Sequence, residues 1–247
     1  MTKPGFFRRK STYLVGVPLL ILIAVTAGPF VYIHFIESPA PKKLSFASIT
    51  TTTAKDASKS TTTATTAAGP ATGASLDGTW KIANGSVVGY RVKEVLFGQS
   101  ATAVGRTRTV TGGLELAGTN VPSADFSVDL TKVKSDQGNR DDQFQGRIMN
   151  TSQFPTATFK LTSPITLASI PADKVPVTTS ATGDLTLHGT TKSMTFDVSA
   201  QRDGDKIEVA GSIPVTFADY GIDNPSGGPA SVGNTGTLEF ALAFTKS

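Results

Sequence analysis

The chain has 247 residues, 38% of them hydrophobic and 17% charged, with no cysteine and a formal net charge of +4. The missing cysteines exclude disulfides, thiolate catalysis and thiolate metal ligation. The charge is unevenly spread: residues 1–74 carry eight Lys/Arg against Glu37 and Asp56, while residues 75–247 carry fifteen against seventeen Asp/Glu. The larger part is therefore mildly acidic, and overall basicity lends no support to nucleic-acid binding.

Residues 1–12 end in the basic run Arg8, Arg9 and Lys10, and residues 13–36 are almost wholly apolar, with His34 near the far end. As a helix this run measures roughly 36 Å, enough to cross a hydrocarbon core of about 30 Å with some tilt. The preceding cations predict a cytoplasmic N-terminus and a single-pass anchor in the cytoplasmic membrane, with the C-terminal bulk on the outer side. A cleaved signal peptide is the rival reading, but the apolar run continues past the small residues Val25 and Ala27 through Phe30 to Ile36. Residues 37–75 follow, rich in Thr, Ala, Ser and Pro. Such a composition cannot bury enough apolar surface to offset ordering entropy, so a disordered linker is expected. As a flexible coil its reach is roughly 30 Å.

Residues 76–247 read as one β-rich domain. Period-2 alternation predicts strands near 80–83, 86–95, 101–117, 124–133, 156–167, 177–188, 193–202, 206–218 and 235–246, separated by Gly, Asn, Asp or Pro. One face of these strands carries Val88, Tyr90, Val92, Leu114, Phe126, Val128, Leu130, Phe159, Leu161, Leu185, Leu187, Met194, Phe196, Phe217, Phe240 and Phe244. An open sheet would leave that wall uncovered, so the fold predicted is all-β, with the sheet closed into an antiparallel barrel. The exception is 139–149, where Asn139 can cap a short helix, Asp141 and Asp142 suit its first turn, and Phe144 and Ile148 share a face. This helix is expected to cover one end of the barrel. The inward residues either fill the core or line a cavity, and the number of phenylalanines favours a lined cavity only mildly.

Few residues offer chemistry. There are two histidines, His34 and His188, on opposite sides of the linker, and no nucleophile-elbow motif, so an enzyme is not expected. No metal site or cofactor is expected either. His188 reads as a turn residue hydrogen-bonding its own loop. Arg140 and Asp141 read either as polar contacts for a ligand head group or as a helix start in which Arg140 pairs with a carboxylate across the rim. Tyr220 would pack its ring inward with its hydroxyl available as a donor.

Four segments carry a family resemblance: Thr79-Trp80-Lys81-Ile82 leading into Ser86-Val87-Val88-Gly89-Tyr90; Asn139-Arg140-Asp141-Asp142; Phe154-Pro155-Thr156-Ala157-Thr158-Phe159; and Gly183-Asp184-Leu185-Thr186-Leu187-His188-Gly189-Thr190-Thr191-Lys192. Together they resemble the YceI-like family of lipocalin-like polyisoprenoid-binding proteins over residues 78–244. Two departures stand out: Gln143-Phe144 occupies the place of the usual His-Leu pair, and Val215-Thr216 that of the usual Asn-Arg. The resemblance implies an extended lipocalin-like barrel whose interior takes a long-chain isoprenoid or similar amphiphilic lipid, an envelope location, and a carrier or reservoir role. On that basis the inward residues above, with Phe144 and Tyr220, line the ligand site, and Arg140, Asp141 and His188 sit at its rim. An envelope interaction domain with a filled barrel is the alternative.

Overall fold

Apolar side chains at every second position commit most of the domain to two-faced strands, and glycine-containing turns fold these back antiparallel. In a computed structural model, residues 39–49, 75–228 and 230–247 are described. The expected cytoplasmic segment 1–12, the span 13–36 and most of the linker lie outside the described residues. Among the described residues no helix is long and apolar enough to cross a membrane.

The strands are β1 (Gly78–Ile82), β2 (Val87–Leu96), β3 (Gln99–Thr107), β4 (Val110–Ala117), β5 (Asn120–Asp129), β6 (Thr156–Ser163), β7 (Ile165–Thr166), β8 (Val177–Leu187), β9 (Thr190–Asp203), β10 (Lys206–Thr216), β11 (Ala230–Val232) and β12 (Thr235–Lys246). Eight of them close a barrel in the order β1-β4-β5-β6-β8-β9-β10-β12, with β12 returning to β1. Strands β2 and β3 prolong β1 and β4 beyond a bend. Pairing resumes beyond it with a one-residue shift, Gly78 standing opposite Leu116 and Val88 opposite Thr107, so these four strands form one long bent hairpin. The bend explains why the strand predicted over 101–117 is two. Ser86 repairs the interrupted ladder: its Oγ donates to the Ala83 carbonyl at 2.9 Å and accepts from the Ala243 amide at 3.0 Å.

Other boundaries differ for local reasons. The strand predicted over 156–167 breaks at Pro164, which has no amide to donate. The gap expected between strands ending at 188 and starting at 193 is only a two-residue turn. His188 and Gly189 both have positive φ, 50° and 74°, which suits the tight primed turns of β-hairpins. The short helix is α1 (Gly138–Gln143), continued by a π-turn over Phe144–Ile148. It starts two residues earlier than expected, with Gln137 rather than Asn139 at its N-cap.

The linker expectation needs a larger correction. Residues 39–49 are not without structure: they lie along the outside of the barrel, ending in a 3-10 turn at Phe46–Ser48. Leu44, Phe46 and Ile49 pack on Val87, Ala210 and Ala241. All three of those residues face outward, and two are alanines, whose small side chains let the strap approach the wall. The strap also seals an ion pair. Arg91 Nε meets Glu239 Oε1 at 2.6 Å, with Glu239 only 3% exposed. Arg91 donates to the Pro41 carbonyl at 2.6 Å, Arg106 donates to the Lys42 carbonyl, and the Leu44 amide donates to Glu239 at 3.3 Å. Burial under this cover lowers the Arg106 pKa, with Glu239 opposing the shift. The low-complexity composition hid the alternating Leu44 and Phe46 that anchor the strap.

Candidate ligand cavity

The barrel interior is not filled. It encloses a cavity of about 1330 Å³ running from the α1 end to the loop between β7 and β8. Of the residues predicted to line it, Val88, Tyr90, Val92, Leu114, Phe126, Val128, Leu130, Phe144, Phe159, Leu161, Leu185, Leu187, Phe196, Phe217 and Phe240 do so. Three predicted lining residues stand outside its wall. Phe244 is fully buried beside Phe126 at 5.8 Å between ring centres, and belongs with Trp80 to the solid part of the core. Met194 packs into that core half-buried. Tyr220 lies on the 3-10 turn Phe217–Tyr220 after β10, 2% exposed, its hydroxyl buried without a hydrogen-bond partner. Burial accordingly raises the Tyr220 pKa.

A barrel with this many phenylalanines stays open because its rings lie against the wall. A methyl placed on Gly183 would come within 2.4 Å of Phe159 Cζ, and one on Gly211 within 2.5 Å of Phe240 Cζ. Each inward glycine therefore provides a recess for the ring of the neighbouring strand. Tyr90 uses Gly105 in the same way. Phe126, Phe159, Phe196 and Phe240 then follow one another around the wall at 5.3 to 6.5 Å, in stacked and edge-on contacts. The sequence showed the aromatics, but their glycine partners are set by cross-strand register, which no local pattern reveals.

Polar groups gather at the α1 end. The lid hangs on the stack of Phe144 over Tyr90, 4.9 Å apart and 14° from parallel. Around it Glu94, Gln137, Asn139, Arg140, Gln143 and Arg147 border the cavity. Arg140 reaches Glu94 at 3.2 Å and also pairs with Asp136, so the pairing across the rim expected for it is present. Burial pushes the Tyr90 hydroxyl pKa up, with Arg140 opposing. Arg147 donates to the Pro225 carbonyl at 2.9 Å and holds the 221–228 segment beside the mouth. Sequence reasoning missed Gln143 and Arg147, and it missed β11, which adds to the edge of β2 at Glu94–Leu96 and is too short to show a period.

The other two rim residues do not reach the cavity. Asp141, 7% exposed, accepts from the Ser135 amide at 2.7 Å and pairs with Lys134 at 3.4 Å. Its work is to fix the start of the lid. His188 bridges turns: Nδ1 lies 3.3 Å from the Tyr220 carbonyl and the ring meets Phe154 edge-on at 4.6 Å. It therefore ties together two separate loops rather than bonding within its own. Among the described residues no cluster of three or more His, Asp or Glu could hold a metal ion.

An eight-stranded antiparallel barrel around one large apolar cavity, with a short helix across one end, defines a lipocalin-like fold. The YceI-like domain family model matches residues 80–244, and the chain belongs to that family. Among solved structures, the polyisoprenoid binding domain from Saccharophagus degradans implicated in plant cell wall breakdown is 19% identical, covers 68% of this chain and 98% of its own, and has a TM-score of 0.56. BcnA of Burkholderia cenocepacia is 16% identical over 62% of this chain and 95% of its own, TM-score 0.47. The YceI protein of Campylobacter jejuni is 13% identical over 58% and 85%, TM-score 0.45. No curated relative matches the sequence.

Proposed function

We propose that this chain is a membrane-tethered, extracytoplasmic binding protein for a long-chain isoprenoid or similar amphiphilic lipid, acting as a non-enzymatic carrier or reservoir. The observation that carries the reading is the cavity itself: about 1330 Å³, lined mainly by apolar side chains, with a polar group of residues at the α1 end and Gln201 and Arg202 near the other. At roughly 150 Å³ for a benzene-sized guest of six carbons, such a space accommodates on the order of fifty carbons. The polar mouth suits a head group and the phenylalanine-lined bore suits a tail. The name of the Saccharophagus degradans neighbour, a polyisoprenoid binding domain, supports the same class of ligand. The apolar run 13–36, led by Arg8, Arg9 and Lys10, supports the tether and the outward orientation.

Energetics favour exchange over tight capture. Burying methylenes contributes about 0.8 kcal/mol each relative to water, but a bilayer solvates the same tail nearly as well. Net transfer from membrane to barrel is therefore small in free energy, which suits a reversible buffer. Extraction of lipids from the full chain purified in mild detergent, followed by mass spectrometry, tests the proposal. A near-stoichiometric prenyl lipid is the expected result; a barrel that reproducibly yields no lipid refutes it.

A further inference from the structure

The strap shows at which end of the barrel the chain before Pro41 arrives. Read backwards from Ile49 to Pro41, it climbs from Val87 past Glu239 to Arg91, towards the tip of the β2–β3 hairpin. Pro41 lies five positions after Ile36, the end of the apolar run, and Leu96 at the tip lies five positions after Arg91. An extended path of that length spans at most about 18 Å, which bounds how far the apolar run can stand from Pro41, itself on the hairpin-tip and α1 side of the barrel. At this tip the outward-facing Val95 is 43% exposed and Phe97 is 50% exposed, beside the exposed Lys93. An apolar tip flanked by lysine suits a bilayer interface. Ser75, where the chain re-enters the barrel to begin β1, lies at the opposite end, so the stretch between Ile49 and Ser75 connects two points on one barrel and does not set its distance from the membrane.

We infer that the β2–β3 tip and the α1 mouth rest on the bilayer that holds residues 13–36, so that lipid passes between membrane and cavity without crossing water. This rests on the tethered-carrier reading and adds orientation and exchange route to it. Because the chain has no cysteine, single labels are clean probes. The full chain carrying an environment-sensitive fluorophore at Val95→Cys, at Ser100→Cys or, at the far end, at Asp205→Cys would be placed in phosphatidylcholine vesicles with nitroxide-labelled acyl chains. Quenching at both tip sites with none at Asp205→Cys is the expected result, lost when Leu44→Ser and Phe46→Ser detach the strap. Ser100 is exposed and polar, so its label reports even where the one at Val95 disturbs the fold. Equal quenching at the two ends, quenching at the far end alone, or tip quenching that survives strap detachment would overturn the inference. Co-flotation with vesicles and lipid extraction on the same samples read the tether and the ligand separately. Loss of flotation sinks the tether and this inference with it, whereas flotation and lipid loading without an end-to-end difference sink the orientation alone.

Discussion

Val128→Phe separates an open bore from a packed core by the sign of its effect. Val128 lies on β5 between Val110 and Ala157, faces inward, lines the cavity and is only half-buried. The surface it leaves uncovered is cavity surface. In a packed interior the added ring would overfill the site at about 1–3 kcal/mol. In a cavity of about 1330 Å³ four more carbons find apolar walls, a gain of up to roughly 3 kcal/mol at about 0.8 kcal/mol per carbon buried. For a domain of this size 1 kcal/mol moves the midpoint by about 2–4 °C. Thermal unfolding of delipidated protein should thus show an unchanged or raised Tm, while extracted lipid shifts towards shorter tails. A fall in Tm of about 4 °C or more, with lipid unchanged, would refute the open-bore reasoning.

The glycine recesses make a paired prediction. At Gly211 the obstacle to a methyl is chiefly the tip of the Phe240 ring, which can swing into the bore, whereas at Gly183 a methyl also meets the Lys160 carbonyl at 2.5 Å. Gly211→Ala should lower lipid capacity with little loss of stability, and Gly183→Ala should cost more, about 1–3 kcal/mol by urea unfolding. Under the strap, Glu239→Gln leaves the Arg91 charge without its carboxylate and should destabilise by about 3 kcal/mol, with faster tryptic cleavage after Lys42 and Lys43; pairing Arg91→Met with Glu239→Leu should restore most of the loss. Alkaline pH reports on the mouth. The Tyr90 pKa is raised by burial above its ordinary 10.0, so below that value both states keep the proton and above it only the unfolded chain ionises. Stability held at neutral pH should therefore decline as pH rises beyond about 10, and Tyr90→Phe, which keeps the stack on Phe144, should flatten that decline in denaturant titrations followed across pH.

Much of the barrel was legible because a strand buried on one side announces itself every second residue. Val88, Tyr90 and Val92, or Phe126 and Val128, could be assigned to the inner face without knowing their neighbours. Register was not legible in the same way. That Phe159 lies across Gly183, or that Phe244 falls in the packed sector beside Trp80 while Phe240 lines the bore, depends on pairings between distant segments. Parity alone therefore placed Phe244 and Met194 in the cavity. Two of the three rim residues, Asp141 and His188, missed the cavity for a related reason, while Arg140 borders it. Arg140, Asp141 and His188 are of types that recognise ligands and also of types that pin loops, and only the position of Ser135 or Tyr220 decides between the two. The strap was masked by its surroundings: Leu44 and Phe46 are too few to register in a segment dominated by threonine and alanine, yet they suffice where alanines on β10 and β12 leave a shallow groove.

Rings folded flat into glycine recesses have a consequence for how such containers diversify. Barrel width is normally tied to the number and slant of the staves, which are hard to alter piecemeal. Here the free diameter at a given depth is governed by whether one residue on the adjacent stave lacks a β-carbon. A single codon change can thus narrow the channel at one level and leave the levels above and below untouched. Where a ring is the chief obstacle, as at Gly105 and Gly211, guest length and girth become adjustable one storey at a time, with the hydrogen-bonded framework left unaltered.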